Sequence, residues 1–234
     1  MSRMPTESPK DINIQGNLKH HIGSCFILLF KALWPKTFRS ERTIKAMGNI
    51  TIAVSGTPGS GKTTYARFLA ERYGLRFVSN GMLFRELAKE MGVDLLELHR
   101  LAEQREDIDR EIDERALQEA KRGNVVIEGH LAVWILRDIA DIKIIVDAPL
   151  RIRAERIAQR ESISIEEALS QIQLREKSNA ERAMRYYKVD IRDYSVADLM
   201  VKTYPLDVNS VKNVIASFVD AYLHVRKPFK DVKV

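Results

Sequence analysis

The 234-residue chain has one cysteine, Cys25. No disulfide can form within it, which excludes the disulfide-stapled secreted classes and makes a reducing, cytoplasmic setting the expectation. No apolar run approaches the roughly 20 residues that a membrane span needs. The greasy stretch Cys25-Phe26-Ile27-Leu28-Leu29-Phe30 is cut short by Lys31. It starts late and carries no small-x-small cleavage pattern, so it does not read as a signal peptide. Internal repeats and low-complexity tracts are also absent, which excludes solenoids and propellers.

A surplus of one charge sign is missing where it would matter. The formal net charge is +6, but residues 1–47 hold eight Lys/Arg against three Asp/Glu, leaving 30 basic and 29 acidic residues in the rest. With a near-neutral body and no interleaved basic-aromatic motif, neither nucleic acid nor a membrane surface is an expected partner. Small-molecule substrates and a monomer are the expectation.

What is present begins near Met47. Residues 1–46 show no sustained period and are punctuated by Pro5, Pro9, Gly16 and Gly23; they form an N-terminal extension, disordered or not native, with a weak amphipathic anchor as the rival reading. Residues 47–225 form one domain, followed by a basic tail over 226–234. In the domain, short β-branched runs (Ile50–Ser55, Arg76–Ser79, Asn124–Glu128, Ile142–Asp147, Leu199–Thr203) alternate with helical stretches. These stretches include Lys62–Arg72, Asp107–Arg122, Leu150–Arg160 and Ile165–Tyr187, with a last helix from about Asp207 towards Leu223. Apolar strands alternating with helices predict an α/β fold, a doubly wound parallel sheet in three layers.

Gly56-Thr57-Pro58-Gly59-Ser60-Gly61-Lys62-Thr63, followed by Thr64, satisfies G-x-x-x-x-G-K-[ST] and lies between a strand and a helix. In that context small residues let backbone N–H groups converge on phosphate oxygens, and the helix N-terminus adds positive potential. ATP is the expected ligand, with Lys62 on its terminal phosphates and the Thr63 hydroxyl on Mg²⁺. Ligands of open α/β sheets bind at the carboxyl ends of the strands, which directs attention to the residues after each one. Ser79-Asn80-Gly81 opens a helix carrying Arg85, whose planar fork suits an acceptor phosphate; a pairing with Glu86 or Glu90 is the alternative. Glu128, Gly129 and His130 end the third strand, with Glu128 placed to serve Mg²⁺. No Asp-x-Asp pair follows the second strand. A hydroxyl acceptor usually needs a carboxylate to take its proton, whereas an anionic phosphate does not, so a nucleotide acceptor is favoured over shikimate, gluconate or a coenzyme precursor.

Two arginine stripes follow. Arg153, Arg156 and Arg160 recur at helical spacing, as do Arg175, Asn179 and Arg182 on the next helix. Placed as a lid beside a phosphate cradle, they would neutralise charge during transfer between two polyanions. The charges of Glu106–Arg122 flank an apolar stripe of Ile108, Ile112 and Ala116 and read as a solvated helix face. Trp134 and Tyr186-Tyr187 read as packing residues.

With these segments in place, the chain resembles the archaeal type of cytidylate kinase, within the P-loop nucleoside-monophosphate kinase superfamily. The resemblance covers roughly residues 48–225. It rests on Gly56–Thr64, Ser79-x-Gly81-x-x-Phe84-Arg85, Val125–Ala132 with Trp134, Arg153-x-x-Arg156-Ile157-x-x-Arg160-Glu161, Arg175–Ser178, Tyr186-Tyr187 and Asp198-Leu199. It implies a five-stranded core with a mobile helical lid, and phosphorylation of CMP or dCMP by ATP. This chain departs from the pattern at His130, where many relatives carry Arg, at Ala183-Met184, and at Lys188 in place of glycine. An adenylate kinase, another small-molecule kinase of the same class, and a nucleotide-binding regulator stay open as alternatives.

Overall fold

The computed structural model describes residues 49–226; the N-terminal extension, with Cys25, and the tail beyond Arg226 lie outside the described residues. Five strands, β1 (Thr51–Gly56), β2 (Arg76–Ser79), β3 (Val125–Glu128), β4 (Ile142–Asp147) and β5 (Leu199–Lys202), form one sheet in the order β2-β3-β1-β4-β5. Every neighbouring pair is parallel. All six residues of β1 are buried, as befits a central strand of a sheet covered on both faces, and its two polar side chains, Thr51 and Ser55, donate to the Ala120 and Gly129 carbonyls.

Alternation along the strands divides the core in two. Ile52, Val54, Ile144 and Val146 face Leu69 and Tyr73 of α1 (Lys62–Tyr73) and Ile215 and Val219 of α8 (Val208–Arg226). Ala53, Ile127 and Ile145 face the other way. They pack under α2 (Asn80–Met91), α3 (Leu95–Gln104), α4 (Glu106–Arg122) and the short α5 (Ala132–Ile135). The expected stripe of α4 is buried here through Ile108, Ile112, Ala116 and Ala120.

Register then decides where chemistry can happen. Val54 pairs with Glu128 and Ser79 also pairs with Glu128, so β1, β2 and β3 end at one level. The loops after them open onto a shared edge.

The expected single helix Ile165–Tyr187 is α7 (Ile165–Arg182) continued by a π-helical turn, Ala183–Tyr187. It forms a hairpin with α6 (Leu150–Glu161), in which Ser162 (φ 56°) ends the first helix and the Ser164 hydroxyl accepts from the Glu167 amide at 3.1 Å to start the second. The hairpin has a small core of its own: Ala154, Ile157, Ala158, Ala168 and Ile172. Ile172 is fully buried there, so Ile172→Ala should cost the hairpin about 2–5 kcal/mol while the sheet stays folded. Limited proteolysis below the global melting temperature should cut within α6–α7; unchanged cleavage would show that the hairpin is held by the main core instead.

Candidate active site

The loop between β1 and α1 is shaped from outside by α6. Gly59 takes φ +80°, and a Cβ there would lie 2.7 Å from the Arg153 carbonyl oxygen, so a side chain is excluded by both backbone and space. Arg153 is buried, donating from Nε to the Ala148 carbonyl at 2.9 Å and from Nη1 to the Pro58 carbonyl at 3.2 Å and to Glu176 at 2.7 Å. Arg156 donates to the Gly59 and Ser60 carbonyls at 3.4 and 3.3 Å and to Thr203 at 2.9 and 2.8 Å. Thr203 Oγ1 in turn donates to the Ser60 carbonyl at 2.9 Å. On the other flank Thr57 Oγ1 donates to Asp147 at 2.7 Å. Guanidinium donors thus hold loop carbonyls on the α6 side, while the Lys62 and Thr63 amides that open α1 are left for an anion; those of Thr64 and Tyr65 donate to the Gly61 carbonyl.

Where β1 and β3 end side by side, Lys62 Nζ stands 3.9 Å from Glu128 Oε1 and Thr63 Oγ1 donates to Glu128 Oε2 at 3.2 Å. Burial pulls the Lys62 pKa down, Glu128 opposes that, and the nearby Arg160 and Arg175 push it further down. A hydroxyl and a carboxylate converging there are hard oxygen donors suited to Mg²⁺. Among the described residues no group of three or more His, Cys, Asp or Glu forms a metal cage.

The acceptor-side residues meet at the ends of β2 and β3. Ser79 is committed as the cap of α2, its hydroxyl accepting from the Met82 amide at 3.2 Å. Arg85 is exposed and folds back over Gly81, with Nη1 3.7 Å from where a Cβ would sit. It has no ion pair among the described residues; Glu90, its alternative partner, binds Arg115. Gly129 has the Asn80 amide pressed against it, 2.7 Å from a Cβ position. His130 is held neutral, its pKa lowered to about 4 by burial and by Lys62. A cavity of about 330 Å³ between the cradle and α7 is lined by Thr57, His130, Trp134, Asp147, Glu176 and Tyr194, among others.

The two arginine stripes do not act as units. Arg160 and Arg175 are exposed and close enough to Lys62 to lower its pKa, with Arg160 also pairing with Glu161 at 2.7 Å. Arg153 and Arg156 point the other way, into the back of the loop, because α6 starts only three residues after β4 and is pinned against Gly59. Arg182 donates to both Asp109 oxygens at 2.9 and 2.8 Å and to Asn179 Oδ1 at 2.8 Å. The expectation of a solvated charged face on Glu106–Arg122 holds for most of its charges but not for two: Asp109 pairs with Arg182 and Asp113 is buried. Asp113 is buried and accepts from the Tyr187 hydroxyl, and the Asn80 side chain lies close enough to lower its pKa. Tyr187 is thus more than a packing residue. Asp113 lies one residue after the stripe position Ile112, and its burial comes from a partner 74 positions away, a contact that helical spacing cannot show.

Burial raises the Asp113 pKa from its usual 3.8 to about 6, with Asp109 adding to the effect and Tyr187, Arg182 and Asn80 opposing it. The folded protein holds this proton more tightly than the unfolded chain. The resulting stabilisation is complete below the unfolded value and is lost as pH rises through about 6. Asp113→Asn removes that dependence. The melting temperature of the variant relative to the parent should therefore be more favourable at neutral pH than near pH 4. An offset identical at both pH values would mean that Asp113 titrates as a solvated carboxyl.

A family model described as the cytidylate kinase-like family matches residues 51–204. The cytidylate kinase of Staphylothermus marinus is 47% identical over 174 residues, which cover 74% of this chain and 98% of that protein. That of Pyrococcus horikoshii is 46% identical over 171 residues, 73% of this chain and 88% of that protein. Among solved structures, an uncharacterized protein from Eubacterium ventriosum superposes with a TM-score of 0.60 at 23% identity, covering 74% of this chain and 99% of that one. A shikimate kinase from Acinetobacter baumannii gives 0.50 at 16% identity over 81% and 99%; at such identities the likeness is one of fold. With a family model spanning more than half of its length and relatives at nearly half identity, the chain belongs to the cytidylate kinase-like family.

Proposed function

We propose that the protein transfers the γ-phosphoryl group of ATP to CMP and dCMP, giving CDP and dCDP. The observation that carries this reading is the convergence of Lys62, Thr63 and Glu128 at the adjoining ends of β1 and β3, in a chain of this family. ATP phosphates lie on Gly56–Thr64, and Lys62 neutralises charge on the group in flight. Thr63 and Glu128 would hold Mg²⁺, which would supply positive charge to the phosphate oxygens. Arg85 grips the acceptor phosphate, with Gly81, Gly129 and neutral His130 forming the surface beneath it. Arg160 and Arg175, exposed beside Lys62, supply the charge that arrives as the lid closes, whereas Arg153 and Arg156 keep the cradle in shape. An acceptor that is already an anion needs no base, and no carboxylate pair follows β2.

Among the described residues no helix is long and apolar enough to cross a membrane. We place the protein in the cytoplasm, acting as a monomer on nucleotides without nucleic-acid or membrane partners.

A coupled assay of ADP release across CMP, dCMP, UMP, AMP and shikimate should show CMP and dCMP as the best acceptors. Turnover of AMP equal to that of CMP would overturn the cytidylate reading and leave a kinase. Within the site, Arg85→Ala should chiefly raise KM for CMP, and Arg160→Ala should chiefly lower kcat, by on the order of 10²–10³-fold. Loss of CMP affinity alone in both variants would remove Arg160 from the transfer step.

A further inference from the structure

Four buried side-chain polar atoms among the described residues have no hydrogen-bond partner: Ser60 Oγ, Asn80 Oδ1, His130 Nε2 and Arg182 Nε. Ser60 belongs to the cradle. The other three lie on elements that border the acceptor side, where polar groups unanswered within the protein are the ones a ligand would answer. Asn80 is the informative one, because only one end of its amide is free. An ionised carboxylate accepts hydrogen bonds and cannot donate them, and Asn80 lowers the Asp113 pKa, so the Nδ2 end is the one turned to Asp113. The second donor on Asp113 is the Tyr187 hydroxyl, which leaves no reason for the amide to turn over. Gly129 permits this placement, since a Cβ there would collide with the amide at 2.7 Å. The group left without a partner is therefore Oδ1, which can only accept.

Charge decides which part of an acceptor nucleotide belongs at this end. Asp109 and Asp113 repel a phosphate, and Arg182 is already neutralised by Asp109. The guanidinium without an ion pair among the described residues is Arg85, folded back over the exposed Gly81, whereas Asn80 Oδ1 is buried. The phosphate goes to Arg85 and the base to Asn80.

We propose that Asn80, oriented by Asp113, selects an amino-bearing pyrimidine over its oxo counterpart. Cytosine presents a 4-amino donor to Oδ1, whereas uracil presents a carbonyl, setting acceptor against acceptor. Both bases carry the same O2, so the donor Arg182 Nε does not distinguish them. Exclusion through an unmatched buried polar pair is the strong form of discrimination; a matched-shape apolar pocket manages far less. This deepens the reading of the protein as a CMP kinase and rests on it.

The test compares kcat/KM for CMP, UMP and AMP in the parent, Asp113→Asn and Asn80→Ala, with KM for ATP and a melting curve for each. In Asp113→Asn the new amide can donate to Asn80 Oδ1, freeing Nδ2 to meet a carbonyl. The CMP/UMP ratio should fall at least about tenfold, with UMP gaining in absolute terms and KM for ATP unchanged. Asn80→Ala should lower the same ratio by loss of CMP activity alone. A folded pair of variants with the parental CMP/UMP ratio would overturn the proposal and leave the CMP reading standing. A parent that prefers AMP to CMP would overturn the CMP reading and the proposal with it. A parent that uses UMP as well as CMP would overturn both.

Discussion

The Lys62 ammonium and the Glu128 carboxylate face each other across 3.9 Å at the tips of two adjacent parallel strands, and this proximity requires the fold as it stands. Lys62 opens the helix after β1, Glu128 ends β3, and 65 residues of helix and strand intervene between them. Only a sheet in which β3 returns beside β1, in register at Val54 and Glu128, brings them together. Their side chains are 22% and 9% exposed. Two groups removed from water to that extent are expensive to keep charged, and burial does lower the Lys62 pKa. A catalytic cleft tolerates that cost when a polyanion and its cation restore the charge balance on binding.

Around this pair the protein separates positive charge bonded to the loop from positive charge that faces solvent. Arg153 and Arg156 are spent on the carbonyls of Ala148, Pro58, Gly59, Ser60 and Thr203. They fix a loop whose small residues would otherwise leave it floppy. Arg160 and Arg175 sit on the same hairpin but face solvent. That hairpin also has a five-residue apolar core of its own. Glu176 accepts from Arg153 at 2.7 Å, and Arg153 donates to the Pro58 carbonyl, so α7 is linked to the loop after β1 through that one guanidinium.

Much of this is written locally and can be read without the structure. The cradle is contiguous, and its strand-loop-helix context is visible in Ile50–Tyr65. The strands lie within a residue of their expected bounds because buried parallel strands are short β-branched runs ended by Gly, Ser or Asp. Arg85 and Glu128 follow from the rule that places ligands at strand ends. What escaped were contacts between distant residues: Arg156 with Thr203, Arg182 with Asp109, Tyr187 with Asp113. Helical spacing says that Arg153, Arg156 and Arg160 share a stripe, but not that the stripe is wide enough for two to face the loop and one to face water. Likewise Asp113 sits on a helix whose charges alternate as on any solvated face, and nothing local marks it as the carboxylate that another helix buries. The π-helical turn at Ala183–Tyr187, which brings Tyr187 round to Asp113, is a departure from regular spacing of the kind often found at functional sites.

The role of the Lys62–Glu128 end of the sheet is tested most directly by Lys62→Ala, with transfer from ATP to CMP followed in a single turnover and folding checked by thermal melting. The expected result is a folded protein whose transfer rate has fallen by on the order of 10³-fold or more, with every acceptor affected alike. Transfer to CMP at a rate near the parent's would contradict the placement of the reaction at this end of β1 and β3.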